Sequence, residues 1–145
     1  MTNEDIEQAE QNKATVRKFY DAIDHGDRES LKFLLRPGFT TVHAPGHPVG
    51  GTFKGSAEIM EAARRNRELF GPTKIDVKEL VADSPDRVVI VVELSGVDAS
   101  GEPWSFPAVE LADFVGGKLA QIELFVDTAQ LHGIAKKNKS SRGEA

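Results

Sequence analysis

The sequence points to an α+β domain, a bent antiparallel (mixed) sheet with its helices gathered on one face. Helical stripes occupy the first half of the chain, and four strand patterns follow one another in the second half. The last two strand patterns are joined by Gly116-Gly117, a hairpin signal. Helices first and strands afterwards, without βαβ alternation, give segregated layers and not a parallel sheet.

Met1 to His25 reads as the first helix. Thr2 is placed to cap it, with Asp5 three residues on. Val16, Phe19, Tyr20 and Ile23 recur with helical spacing, and Gly26 ends the helix. Asp27 then caps a short second helix that turns Leu31, Leu34 and Leu35 inward, and Pro37-Gly38 stops it. Phe39 to Ala44 reads as a strand with Phe39, Thr41 and His43 on one face. Residues 45–51 (PGHPVGG) form a loop, and Thr52 to Lys54 is at most a short strand. Ser56 is expected to cap a third helix whose buried side carries Ile59, Met60, Ala63 and Phe70. Gly71-Pro72 ends it.

Lys74–Ala82, Asp86–Val97, Trp104–Val115 and Lys118–Val126 are the four strands, with turn signals at 84–86 and 98–101. In the third of these, Trp104, Phe106, Ala108, Glu110, Ala112 and Phe114 share a face; in the fourth, Ala120, Ile122, Leu124 and Val126 do. That inner surface is apolar except at Glu110. Asp127 is expected to cap a last short helix through Leu131. The reading is one domain over 1–134 and a disordered polar tail over 135–145, where KKNKSSRGEA holds no apolar run.

The length, 145 residues, suits one domain with a real core. There is no cysteine, which excludes disulfides and thiolate chemistry. The net charge of -5 argues against a nucleic-acid partner. No apolar run approaches the ~18 residues of a membrane span, and no signal peptide is recognisable, so a cytoplasmic protein without membrane partner is expected. Neither HxH nor HExxH occurs. His43 and His47 could converge only on a helix, which Pro45-Gly46 forbids, so no metal site is expected. No glycine loop has phosphate-binding spacing, and no cofactor is expected.

Four stretches together resemble the nuclear transport factor 2-like superfamily, the cone fold shared by ketosteroid isomerase and the SnoaL-like polyketide cyclases. They are VRKFYDAIDHGD at 16–27, the strand ending at His43, GTFKG at 51–55, and GGKLAQIELFVD at 116–127. The resemblance spans about residues 10–134. It implies a cone-shaped sheet closed by three N-terminal helices around a pocket, usually in a homodimer. Matching Gly26-Asp27 to ketosteroid isomerase places His43 at its general-base aspartate. Matching Gly117-Lys118 places Glu110 at its neutral, proton-donating aspartate. Phe19 falls where that enzyme has its catalytic tyrosine. Tyr20 is one residue off and is expected to point elsewhere. The acid of SnoaL-like cyclases falls at Leu124. Limonene epoxide hydrolases have an arginine and two carboxylates where this chain has Ala108, Glu110 and Leu124. Asp24 resembles the aspartate that ends the first helix of scytalone dehydratase.

Glu110 is the strongest single candidate. An apolar setting raises a carboxyl's pKa and keeps it protonated as a hydrogen-bond donor; the plainer reading is a structural pair with an arginine. His43 offers a base that titrates near neutral pH, against the plainer role of a strand-end polar group. His47 lies in the 45–51 loop, where an exposed loop histidine is the favoured reading; His25 and His132 read as helix-end groups. Arg64, Arg65 and Arg67 read as a solvated charged face beside Glu61 and Glu68.

The expected function is a cofactor-free acid/base enzyme, an isomerase, cyclase or dehydratase, acting on a small hydrophobic oxygenated molecule. Glu110 would be the acid and His43 the base, oriented by Asp24. Phe19, Tyr20, Phe53, Trp104, Phe106, Ile122 and Leu124 would line the pocket. The alternatives are a carrier module with the same pocket and no chemistry, and an interaction protein using the open sheet face of Glu93, Gln121 and Glu123. A homodimer through that outer face is expected.

Overall fold

The computed structural model describes residues 1–143. Helix α1 (Asn3–Asp24) begins at a reciprocal cap: the Asp5 N–H donates to the Thr2 hydroxyl (3.1 Å), and the Thr2 N–H donates to the Asp5 carboxylate (3.0 Å). Gly26, at φ +65°, turns the chain out of it. Asp27 caps α2 (Arg28–Leu34) through the Ser30 N–H.

Strand β1 (Leu35–His43) follows without a break. The expected stop at Pro37-Gly38 therefore lies inside a strand. Leu35 is already extended (φ -96°, ψ 140°), and Arg36, which precedes Pro37, is itself pushed out of the helical region. After β2 (Thr52–Lys54) comes α3 (Gly55–Phe70). Ser56 does not cap it. The N-cap is Lys54, and the Glu58 carboxylate accepts its N–H (3.1 Å). Gly71 ends α3 at φ +74°. Strands β3 (Lys74–Ser84), β4 (Arg87–Val97), β5 (Pro103–Val115) and β6 (Lys118–Val126) complete one mixed sheet, in the order β2-β1-β6-β5-β4-β3. The pairing of β1 with β6 is parallel and the others are antiparallel.

Helices α1, α2 and α3 cover the inner face, where Val16, Phe19, Leu31, Phe39, Ile90, Ala112, Phe114, Leu119 and Ile122 form the main core. Ala120 does not occupy the expected inner position. The ladder pairs Asp113 with Gln121 and then Phe114 with Leu119, a bulge that brings Leu119 to full burial instead.

The end of the chain departs most from expectation. Helix α4 (Thr128–Ser141) continues through most of the stretch expected to be disordered; Glu144 and Ala145 lie outside the described residues. Leu131, Ile134, Ala135 and Asn138 are buried at i, i+3, i+4 and i+7. Asn138 is the polar member of the stripe: it donates to the Leu69 carbonyl (2.7 Å) and accepts the Ala99 N–H (2.8 Å). Polar composition concealed the stripe from the sequence reading. With Phe70 and Phe106, α4 builds a second, smaller core. No helix among the described residues is long and apolar enough to cross a membrane.

Candidate active site

The strand register assembles the site. Ile90 of β4 faces Glu110 of β5, Glu110 faces Leu124 of β6, and Leu124 faces His43 of β1. Four adjacent strands thus put Ile90, Glu110, Leu124 and His43 in one row on the inner face. Two strand spacings, about 10 Å, separate the Glu110 and His43 backbones. The next row contains Ala112, Ile122 and Thr41.

Glu110 is enclosed. Its Oε2 is sealed from solvent and has no hydrogen-bond partner. Burial pushes its pKa up to about 8, with no cation beside it to oppose the shift. Two further sealed, unpartnered oxygens lie on elements facing this interior, Thr41 Oγ1 of β1 and Tyr20 Oη of α1. Buried polar groups without partners are rare in proteins. Tyr20 does not point away as expected: it packs on the main core, edge-on to Phe19 at 5.6 Å, and Phe19 in turn meets Phe39. Thr41 was missed as a site residue. Its signal was in the sequence, since it shares strand parity with His43.

His43 is oriented by the loop that follows it. Its Nδ1 bonds the Val49 carbonyl, which can only accept, so Nδ1 carries the proton and Nε2 keeps the free lone pair. Burial lowers the His43 pKa, against the pull of that carbonyl, and favours the neutral ring. Phe53 packs on it at 5.1 Å and His47 at 4.4 Å. His47, expected to be an exposed loop residue, is only 8% exposed.

Asp24 does not orient His43. With Trp104 it lines a cleft of about 850 Å³ at the far end of the sheet, together with Pro72, Lys74 and Ser95 to Val97. Trp104 lies across Gly96, where any side chain would collide with the indole. Trp104 stacks on Phe106 at 5.4 Å, and both belong to the second core with Phe70 and Leu131. These two aromatics are therefore not neighbours of Glu110. Glu110 is six residue steps along β5 from Trp104, about 20 Å of extended chain. Parity was correctly read, but a shared face is not a shared cavity on a strand of 13 residues. Among the described residues, no three His, Asp or Glu side chains are grouped to hold a metal ion.

The SnoaL-like domain profile matches residues 16–122, most of the chain. The chain belongs to the SnoaL-like family. The solved structure of TerC co-crystallised with polyporic acid is similar, at TM-score 0.77 and 22% identity over 87% of this chain and 98% of that one. A putative SnoaL-like polyketide cyclase from Jannaschia sp. CCS1 has TM-score 0.72 and 20% identity, covering 93% and 95%. An NTF2-like protein of unknown function from Burkholderia pseudomallei K96243 has TM-score 0.75 and 22% identity, covering 86% and 97%. At these identities the likeness establishes the cone fold and leaves the chemistry to the residues. No functionally curated protein matches the chain.

Proposed function

We propose that this SnoaL-like protein is a cofactor-independent acid/base enzyme, of isomerase, cyclase or dehydratase type, acting on a small hydrophobic molecule that carries oxygen. The observation that carries the reading is the sealed, unpartnered Oε2 of Glu110, on an inner face that also holds His43 and the unpartnered oxygens of Thr41 and Tyr20. With its pKa near 8, Glu110 holds a proton at neutral pH and offers it to a substrate oxygen. Neutral His43, with Nε2 unprotonated, accepts a proton from a carbon or hydroxyl of the same molecule. Phe19, Tyr20, Phe53, Ile122 and Leu124 supply the dry walls, in which a hydrogen bond to developing charge is strengthened. The solved likenesses support the reading: one was co-crystallised with polyporic acid and another is named a putative SnoaL-like polyketide cyclase.

Two variants of one residue test it. Glu110→Gln keeps an N–H for the substrate oxygen and should retain partial turnover. Glu110→Ala should lose a factor of ~10²–10³, the usual effect of removing a donor to developing charge. His43→Gln should abolish turnover. If instead both Glu110 variants keep the parent's turnover, the acid/base reading fails. If a ligand co-purifies, seen by native mass spectrometry, and no chemistry follows, the protein is the carrier module.

We also propose that a second copy covers the outer sheet face. There Phe125 faces Val109 and Val109 faces Val91, with Phe125 45% exposed. Phe125→Glu should convert a dimer to a monomer in light scattering; a monomeric parent at micromolar concentration would refute it. A cytoplasmic location fits this reading, and fractionation of the native cell tests it.

A further inference from the structure

The 44–51 loop holds two imidazoles on one residue. Val49 is buried at 4% exposure, and both of its backbone polar groups end on a histidine. Its carbonyl accepts from His43 Nδ1–H, and its N–H donates to His47 Nδ1 (2.9 Å). These bonds dictate opposite tautomers. His43 has its proton on Nδ1 and a lone pair on Nε2; His47 has its lone pair on Nδ1 and its proton on Nε2. Both Nδ1 atoms turn toward Val49, so both Nε2 atoms lie across their rings from it. The rings are 4.4 Å apart with a 35° tilt.

Among the described residues, neither Nε2 has a hydrogen-bond partner. Neither is among the sealed polar atoms, which are Tyr20 Oη, Thr41 Oγ1, Trp104 Nε1 and Glu110 Oε2, so neither is fully closed off from solvent. The pair is also held rigidly. His132 of α4 donates from Nε2 to the Gly46 carbonyl (2.7 Å), and the His43 N–H closes the loop onto Gly51 (3.1 Å). Phe53 and Phe70 pack beside the two rings. Both rings stay neutral near pH 7. Burial lowers each, and His43 and then His132 add to the effect at His47, bringing it to about 4.

We infer that His43 and His47 form a matched acceptor and donor for one ligand bearing a hydroxyl beside a carbonyl, a planar hydroxy-ketone or an enolised diketone. The ligand O–H donates to His43 Nε2, and its carbonyl accepts from His47 Nε2–H. The inference rests on the reading of the inner face as a small-molecule site and deepens it by naming the ligand chemistry. It gives His47 a direct role, and it explains why a loop histidine is buried with its Nδ1 already committed.

Nitrogen-15 spectra of the full chain at pH 7 test it before any ligand is known. His43 should appear as the neutral Nδ1–H tautomer and His47 as the neutral Nε2–H tautomer. Either ring in the other tautomer, or doubly protonated, overturns the inference. Tropolone, a planar hydroxy-ketone, should then move both Nε2 resonances. Its methyl ether, which lacks the O–H, should bind roughly three- to tenfold more weakly, the usual effect of one lost hydrogen bond. His47→Asn keeps an oxygen to accept the Val49 N–H but removes the ring donor. It should weaken tropolone by a similar factor while the His43 tautomer stays as it was. Tropolone that moves neither Nε2, or binds His47→Asn as it binds the parent, overturns the inference. Failure of the Glu110 acid reading would appear separately, as parental turnover in Glu110→Ala with the two histidine tautomers intact.

Discussion

Glu110 and Asp98 are both carboxyls withdrawn from solvent, and they shift in opposite directions. Asp98 lies under the turn between β4 and β5, and its carboxylate accepts from the Ser100 hydroxyl (2.5 Å), the Ser100 N–H (2.9 Å) and the Glu102 N–H (3.0 Å). Lys137 approaches at 3.6 Å. The Ser100 bond, followed by the two backbone donors, outweighs desolvation and lowers its pKa. Glu110 has the desolvation and none of the partners, and its pKa rises. A carboxyl surrounded by donors serves the fold. One left without them in an apolar interior costs stability and remains available to a ligand.

The largest expected effect sharpens this contrast through pH. The raised pKa means that folded Glu110 keeps a proton which the unfolded chain releases above pH 4.5. The parent should therefore lose stability as pH rises from about 4.5 to about 8. Glu110→Gln lacks this slope. Its advantage over the parent should be near zero at pH 4 and grow to roughly 4 kcal/mol by pH 8, at 1.36 kcal/mol per unit. Asp98→Asn should show the opposite. The depressed Asp98 pKa gives stability that is present above the ordinary value of 3.8 and fades as pH falls through the folded value. Asp98→Asn should thus be less stable than the parent at pH 7 and converge with it in acid. Parallel thermal melts from pH 3 to 8 check both signs. Curves with the same sign would dissolve the comparison.

A smaller effect tests the satisfied side alone. Asn138→Ala strands the Leu69 carbonyl and the Ala99 N–H, at a cost of about 1–3 kcal/mol. Hydrogen exchange should show α4 loosening first while the Glu110 row stays protected. Uniform loss of protection would mean that the two regions are one cooperative unit.

The smallest effect concerns the far end of β5. In Gly96→Ala the new Cβ would sit 2.7 Å from Trp104 Cζ2 and 3.1 Å from the Pro72 carbonyl. The indole must shift, costing about 1 kcal/mol. Trp104 is the chain's one tryptophan, so its fluorescence reports the change directly. Turnover at Glu110 should be untouched if the two ends of β5 are independent.

Most local chemistry was legible, although the cap expected at Ser56 and the stop expected at Pro37-Gly38 did not fall there. Thr2 and Asp5, Gly26, Asp27 and Gly71 act on the backbone within a few residues of themselves, and each acts where the sequence placed it. Period-two patterns located the strands, and parity alone turned Glu110 and His43 inward. The other departures depended on partners distant in the chain. The bulge that exchanges Ala120 for Leu119 arises between two strands. The helix from 135 to 141 depends on Asn138 finding backbone groups 39 and 69 residues away. Asp24 and Trp104 line one cleft apart from Glu110, because the end of α1 and the start of β5 both border it.

The sequence by itself determined the order of helices and strands, most of the caps and turns, and most of the side chains that face the core, because these follow from the backbone preferences and the alternation of neighbouring residues. Only the tertiary structure decided that Glu110 has no partner, that Val49 holds His43 and His47 in opposite tautomers, and that α4 closes one end. Burial and hydrogen-bond satisfaction are properties of the whole packed chain, and no short stretch of residues carries them.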